Sequence, residues 1–214
     1  MYNTIELSIA EKLLQVEAVK LSPEKPFKWA SGWNSPIYCD NRIALSYPDI
    51  RAYIAESLIA TIKKEFSDVE VIAGVATAGI PQASIIADRM SKSLIYVRAK
   101  PKDHGMTNLI EGRIQSGQKV VVIEDLISTG GSSLKAVEAL KEQGVNVLGM
   151  VAIFTYDFPI AALAFKNAGV KLVTLSNYNA LLDIAFKKNI LNQQQLEVLS
   201  KWRENPSEWN TQTI

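Results

Sequence analysis

The segment 120–133, Val-Val-Val-Ile-Glu-Asp-Leu-Ile-Ser-Thr-Gly-Gly-Ser-Ser, concentrates the most specific chemistry in the chain. An apolar run leads into two adjacent carboxylates, Glu124 and Asp125. Leu126 and Ile127 then carry it into a loop of Ser128, Thr129, Gly130, Gly131 and Ser132 that opens an amphipathic stretch. Backbone N–H groups of a glycine-rich turn at a helix N-terminus form a partial positive site for a phosphate dianion. The hydroxyls of Ser128, Thr129 and Ser132 add donors, and Gly130 and Gly131 let the backbone come close. Glu124 and Asp125 would repel a bare phosphate, so they must face sugar hydroxyls, or a magnesium ion held beside them. The combination points to a phosphorylated sugar. Other phosphate motifs fail: Gly112 and Gly117 have P-loop spacing, but Gln118 follows them, and no G-x-G-x-x-G occurs.

Charge gathers a second time in 98–112, where Arg98, Lys100, Lys102 and the only histidine, His104, precede two hinge candidates, Gly105 and Gly112. A mobile cationic lid suits a leaving group that accumulates negative charge; the plainer reading is a solvated loop. The segment 74–81, Gly-Val-Ala-Thr-Ala-Gly-Ile-Pro, also follows an apolar run and starts an amphipathic stretch. Its backbone around Thr77 and Ala78 either faces an anion or closes a tight turn. Trp29 and Trp33 either stack on a planar base or pack their own segment. Cys39 reads as a small buried hydrophobe, and Trp202 and Trp209 as packing residues.

The elements that must hold these residues follow from the apolar pattern. The runs 71–76, 94–97, 119–123, 147–154 and 171–175 are continuous rather than alternating, as in parallel strands buried on both faces. Between them, 132–143 predicts a helix with Leu134, Val137 and Leu140 on one face and Gly144 as its stop. Ser46 reads as the N-cap of an earlier helix, along which Ile50, Ile54, Leu58 and Ile62 recur. The fold class is α/β, an open, mostly parallel twisted sheet flanked by helices. Residues 20–45, rich in aromatic, Pro and Gly residues, predict an irregular cap. Residues 178–214 predict a helical extension to about 203 and a polar, frayed end. Both are read as additions to a single domain, 1–214.

Composition removes several classes. Lys plus Arg is 23 and Asp plus Glu 22, a net charge of +1 that argues against a general nucleic-acid binder. With 48% hydrophobic and 21% charged residues, the 214-residue chain has the composition of a soluble globular protein. At this length roughly 70% of the unfolded surface can be buried without disulfides. One cysteine excludes an intrachain disulfide and a Cys-rich metal site, and one histidine excludes an HExxH zinc centre. Glu6, Glu11 and Glu17 are incompatible with a secretory h-region, and the longest apolar run, 147–156, is short of the ~20 residues that span a bilayer. The expectation is a cytoplasmic protein with neither membrane nor nucleic-acid partners.

The 120–133 segment resembles the phosphoribosyl-diphosphate (PRPP) signature of type I phosphoribosyltransferases. Three further segments narrow the likeness to the orotate phosphoribosyltransferase family. Residues 27–42, FKWASGWNSPIYCDNR, are similar to its N-terminal hood; 74–81 resembles its second diphosphate-contacting loop; 96–105, YVRAKPKDHG, resembles its mobile catalytic loop. The likeness spans about 20–155, and Lys102-Asp103-His104-Gly105 is its discriminating element. It implies a type I phosphoribosyltransferase-like fold with a hood at about 20–45. It also implies transfer of ribose 5-phosphate from PRPP to orotate, giving orotidine 5'-monophosphate and diphosphate, with Mg²⁺ required. By the resemblance, Lys102, His104, Asp125 and Glu124 are catalytic. PRPP is bound by Arg98, Lys100, Lys102, His104, residues 124–132, Thr77 and Ala78, and orotate by Ser128 and Lys28. The metal travels with PRPP near Glu124 and Asp125. A homodimer sharing its active sites through the 98–112 loop is also implied.

The chain departs from some members of that family at Ala30, at Thr77-Ala78 and at Ala99, where those members carry basic or Tyr-Lys residues. Lys28 and Lys100 stand near two of these places. Two rivals remain at this stage. A purine or other base transferase would share 120–133 but not the Lys102–Gly105 element. A PRPP-sensing regulator that binds RNA would need a basic face or a separate domain, and the charge balance offers neither.

Overall fold

The computed structural model describes residues 4–29, 31–100 and 109–209. The continuous apolar runs form five parallel strands, and a helix lies between consecutive ones except the second and third, where the described residues hold only a two-residue strand, Ile110–Glu111. In chain order the sheet elements are β5 (Val71–Val75), β6 (Ser93–Val97), β7 (Ile110–Glu111), β8 (Lys119–Ile127), β9 (Asn146–Thr155) and β10 (Leu172–Asn177). They lie in the order β10-β9-β8-β5-β6-β7, parallel throughout except for β7, a two-residue edge strand antiparallel to β6.

Strand alternation divides the interior into two cores, one on each face of the sheet. Ile72, Val121, Ile123, Val151 and Ile153 pack with α1 (Thr4–Gln15), α2 (Pro48–Glu65), α3 (Gly79–Met90), α6 (Tyr178–Lys187) and α7 (Gln193–Glu204). Val71, Ala73, Val120, Val122 and Ala152 face the other way, onto α4 (Gly131–Glu142) and α5 (Pro159–Asn167). The expected stripe on α2 is buried at Ile50, Ile54, Leu58 and Ile62.

Several expectations need correction. The N-cap of α2 is Tyr47, not Ser46, which ends a 3-10 helix over Asn41–Ser46. Pro48 stands at the first helical turn, where its fixed φ fits and no N–H is lost. Helix α1 was not foreseen. The cap region is two small antiparallel ladders, β1 (Val19–Leu21) with β4 (Ile37–Cys39) and β2 (Phe27–Lys28) with β3 (Asn34–Ser35). Cys39 is half-buried rather than buried, and its thiol donates to Asn41 Oδ1 at 3.4 Å. Past α7 Asn205, Ser207 and Glu208 are exposed, while Trp209 is partly buried against the first core as a packing residue. Among the described residues no helix is long and apolar enough to cross a membrane.

Candidate active site

The site forms at the carboxyl ends of β5 and β8. Their pairing stops at Gly74↔Ile123, so the next residues of β8, Glu124 and Asp125, emerge where β5 gives way to the turn into α3. That turn contains a cis Ala76–Thr77 peptide. Helix α3 then starts so close to β8 that a Cβ on Gly79 would collide with the Ile123 carbonyl oxygen. Only glycine allows this approach.

Glu124 is 6% exposed. Its two carboxylate oxygens accept from Ser133 Oγ and from the Asp125 backbone N–H, both at 3.0 Å. Burial, and after it the Asp125 charge, push its pKa up to about 8. Burial also raises Asp125, whose carbonyl oxygen accepts from Asn41 Nδ2 at 2.7 Å. Past Ile127 the loop turns through Gly130, left-handed at φ 83°, and α4 begins with no side-chain cap on its N-terminus. No capping side chain therefore occupies its first N–H groups, the arrangement that leaves a helix N-terminus able to take an anion.

Two adjoining cavities share the wall Leu126, Ser128 and Thr129. One, of about 340 Å³, lies between the Glu124–Asp125 pair, the Thr77–Ala78 turn, Gly130 and Ser132. The other, of about 970 Å³, is roofed by the hood residues Lys28, Trp29, Trp33, Tyr38 and Cys39 and closed behind by Tyr156. A third, of about 530 Å³, borders the first at Val75, Ala76 and Ser132 and includes Arg98 and Gly131.

The structure thus gathers Glu124, Asp125, Leu126, Ser128, Thr129, Gly130, Ser132, Thr77 and Ala78 around one cavity, with Gly131 and Arg98 beside it. Arg98 pairs with Glu111 at 3.3 Å. Lys28 stands across the hood cavity and is exposed, as is Lys100. The side chain of Ile127 is set apart: it is fully buried in the second core, and its carbonyl oxygen accepts from the Tyr156 N–H. Lys102 and His104 lie outside the described residues. Sequence reasoning missed Asn41, Ser133 and Tyr156, although Ser133 ends the quoted signature.

The donor set bears on magnesium. Among the described residues no group of three or more His, Cys, Asp or Glu side chains is placed to hold a metal ion. Two neighbouring carboxylates fit Mg²⁺, which is commonly bound through one or two carboxylates together with substrate phosphates.

Comparison with known proteins agrees with this geometry. The family model described as "Phosphoribosyl transferase domain" matches residues 46–186. An orotate phosphoribosyltransferase of Cytophaga hutchinsonii is 62% identical over 94% of this chain and 96% of its own. One of Phocaeicola vulgatus is 54% identical over 97% and 98%. The crystal structure of orotate phosphoribosyltransferase from Aeropyrum pernix superposes with a TM-score of 0.75 at 29% identity, covering 86% of this chain and 99% of that one. The carboxylate pair, the glycine loop and the hood cavity are therefore those of a chain that belongs to the orotate phosphoribosyltransferase family.

Proposed function

We propose that the chain transfers the 5-phosphoribosyl group of PRPP to orotate, releasing diphosphate and forming orotidine 5'-monophosphate. One observation carries this reading: a carboxylate-lined cavity and an aromatic hood cavity meet at Leu126, Ser128 and Thr129, as a sugar phosphate and a planar base joined at one carbon require.

The N–H groups and hydroxyls of 128–132 hold the 5'-phosphate. Glu124 and Asp125 face the ribose hydroxyls and stabilise positive charge on the anomeric carbon as its bond to diphosphate breaks. The bonding electron pair leaves with diphosphate, whose charge Arg98, Lys102 and His104 neutralise, with Lys100, Thr77 and Ala78 nearby. The base nitrogen attacks from the opposite side, held in the hood cavity by Ser128 and Lys28, and the proton it carried is released to water as the new bond forms. Mg²⁺, carried by the diphosphate and held near Glu124 and Asp125, supplies charge neutralisation when bound. The hood and the C-terminal helices are additions to one transferase domain, and two copies form a homodimer that shares the 98–112 loops.

Turnover tests the reading directly. Protein, Mg²⁺ and PRPP are mixed with orotate, adenine, guanine or hypoxanthine, and diphosphate release is followed. Release with orotate alone is the expected result; release with a purine and not with orotate overturns the substrate assignment.

A further inference from the structure

The family match ends at 46 on one side and 186 on the other, leaving out the hood and α7, and these two outlying pieces grip each other. Trp202 of α7 is fully buried, and its indole N–H donates to the Asn34 carbonyl oxygen in β3 at 3.1 Å. Its ring lies edge-on to Trp29, at 5.6 Å and 79°, and to Tyr156, at 6.0 Å and 79°. Both of those rings are walls of the hood cavity. At the start of α7, Gln195 Nε2 donates to Glu24 Oε1 at 3.0 Å. From behind, the Tyr178 hydroxyl fastens α7 by donating to the Leu199 carbonyl oxygen at 3.0 Å.

The β1–β4 half of the hood is anchored by Val19 and Ile37 in the core, but the β2–β3 half has no such anchor in its own strands. The β2–β3 ladder is two residue pairs long, Phe27↔Ser35 and Lys28↔Asn34, and a ladder that short is not independently stable. Asn34, the residue Trp202 holds, sits directly opposite Lys28. Among the described residues, no hydrogen bond or ring contact of Trp202 goes to 124–132.

We infer that Trp202 is a positioning residue for the base: it fixes the Lys28–Asn34 pair and the Trp29 ring, setting affinity for orotate and leaving PRPP binding alone. The inference rests on the hood cavity being the base site.

Trp202→Phe keeps one aromatic ring and removes the N–H together with the second ring of the indole, which leaves a gap at a fully buried position. The expected result is a rise in the orotate KM of about three- to tenfold, the scale of one hydrogen bond, with kcat and the PRPP KM within about twofold. Tyr178→Phe, which loosens α7 from behind, gives a smaller rise in the same constant, and it decides the matter by the same split if Trp202→Phe does not fold. A purely structural Trp202 would lower the melting temperature and the titrated active fraction with the orotate KM unchanged, and that result overturns the inference. So does a parallel rise in both KM values. Lys28→Ala separates the two layers. If it raises the orotate KM while Trp202→Phe does not, the positioning role falls and the cavity stands. If neither variant changes it, the base does not sit in the hood cavity.

Discussion

Glu124 and Asp125 stand side by side in a poorly hydrated place, where two ionised carboxylates repel each other. Such a pair is stable where a cation or a set of hydroxyls answers it, which under the proposed mechanism is the ribose and its developing charge. Asp125→Asn is expected to lower kcat by on the order of 10²-fold at saturating PRPP, because it removes stabilisation specific to the transition state. Unchanged kcat with only weaker PRPP binding contradicts that role. Glu124 also makes stability depend on pH. Its ordinary value is 4.5 and the fold raises it to about 8, so across that interval the folded chain binds more protons than the unfolded one. The stability this provides is complete below the unfolded value and is lost as pH rises through the folded one. Glu124→Gln, neutral at every pH, should flatten the dependence of melting temperature on pH between 4.5 and about 8; an unaltered slope assigns the titration elsewhere. The carboxylates and the glycine loop were legible in the sequence because they are contiguous. Asn41 was not, because it meets Asp125 from 84 positions away and nothing local marks that contact.

At the scale of elements, the legible parts were those whose burial is symmetrical. Strands covered on both faces read as unbroken apolar runs, and α2 and α4 as regular stripes. The hood ladders, β7 and the placement of α1 left no such trace. Their strands are two or three residues long, and their positions are set by partners distant in sequence, such as Trp202 on Asn34. Two segments read alike in the sequence, 74–81 and 124–132, are brought together by backbone contacts at the end of β8. Gly79 at the start of α3 lies against Ile123 at the end of β8, and this closeness lets both loops line one cavity. Gly79→Ala forces backbone against backbone, which no rotamer relieves. The expected loss is about 1–3 kcal/mol in urea unfolding, the usual cost of overpacking, accompanied by weaker PRPP binding as the two loops part. A variant as stable as the parent would show that α3 shifts freely along β8.

At the scale of the whole molecule, the proposed homodimer turns on which copy's 98–112 segment serves which site. The roots of the 98–112 segment are fixed together: the Arg98 N–H donates to the Leu109 carbonyl oxygen at 2.8 Å, and β6 pairs with β7 immediately beside them. They stand at the sheet edge, with β5 between β6 and the carboxylates of β8, a lateral separation of about 10 Å. A cationic segment anchored at an edge is as well placed to serve a neighbouring copy as its own chain, and mixing two defective proteins separates the alternatives. Lys102→Ala and Asp125→Asn are each expected to be nearly inactive. Unfolded together and refolded as an equal mixture, half of the dimers are mixed under random pairing. With shared sites, each mixed dimer has one site with an intact carboxylate and an intact borrowed lysine, and one site lacking both. Activity then recovers to about a quarter of the parent level, because one site in two works in half of the dimers. If each loop serves its own chain, no site in the mixture is whole and activity stays near zero. That result, with mixed dimers demonstrated by mass, removes the shared loop and leaves the chemistry proposed for Glu124 and Asp125 as it was.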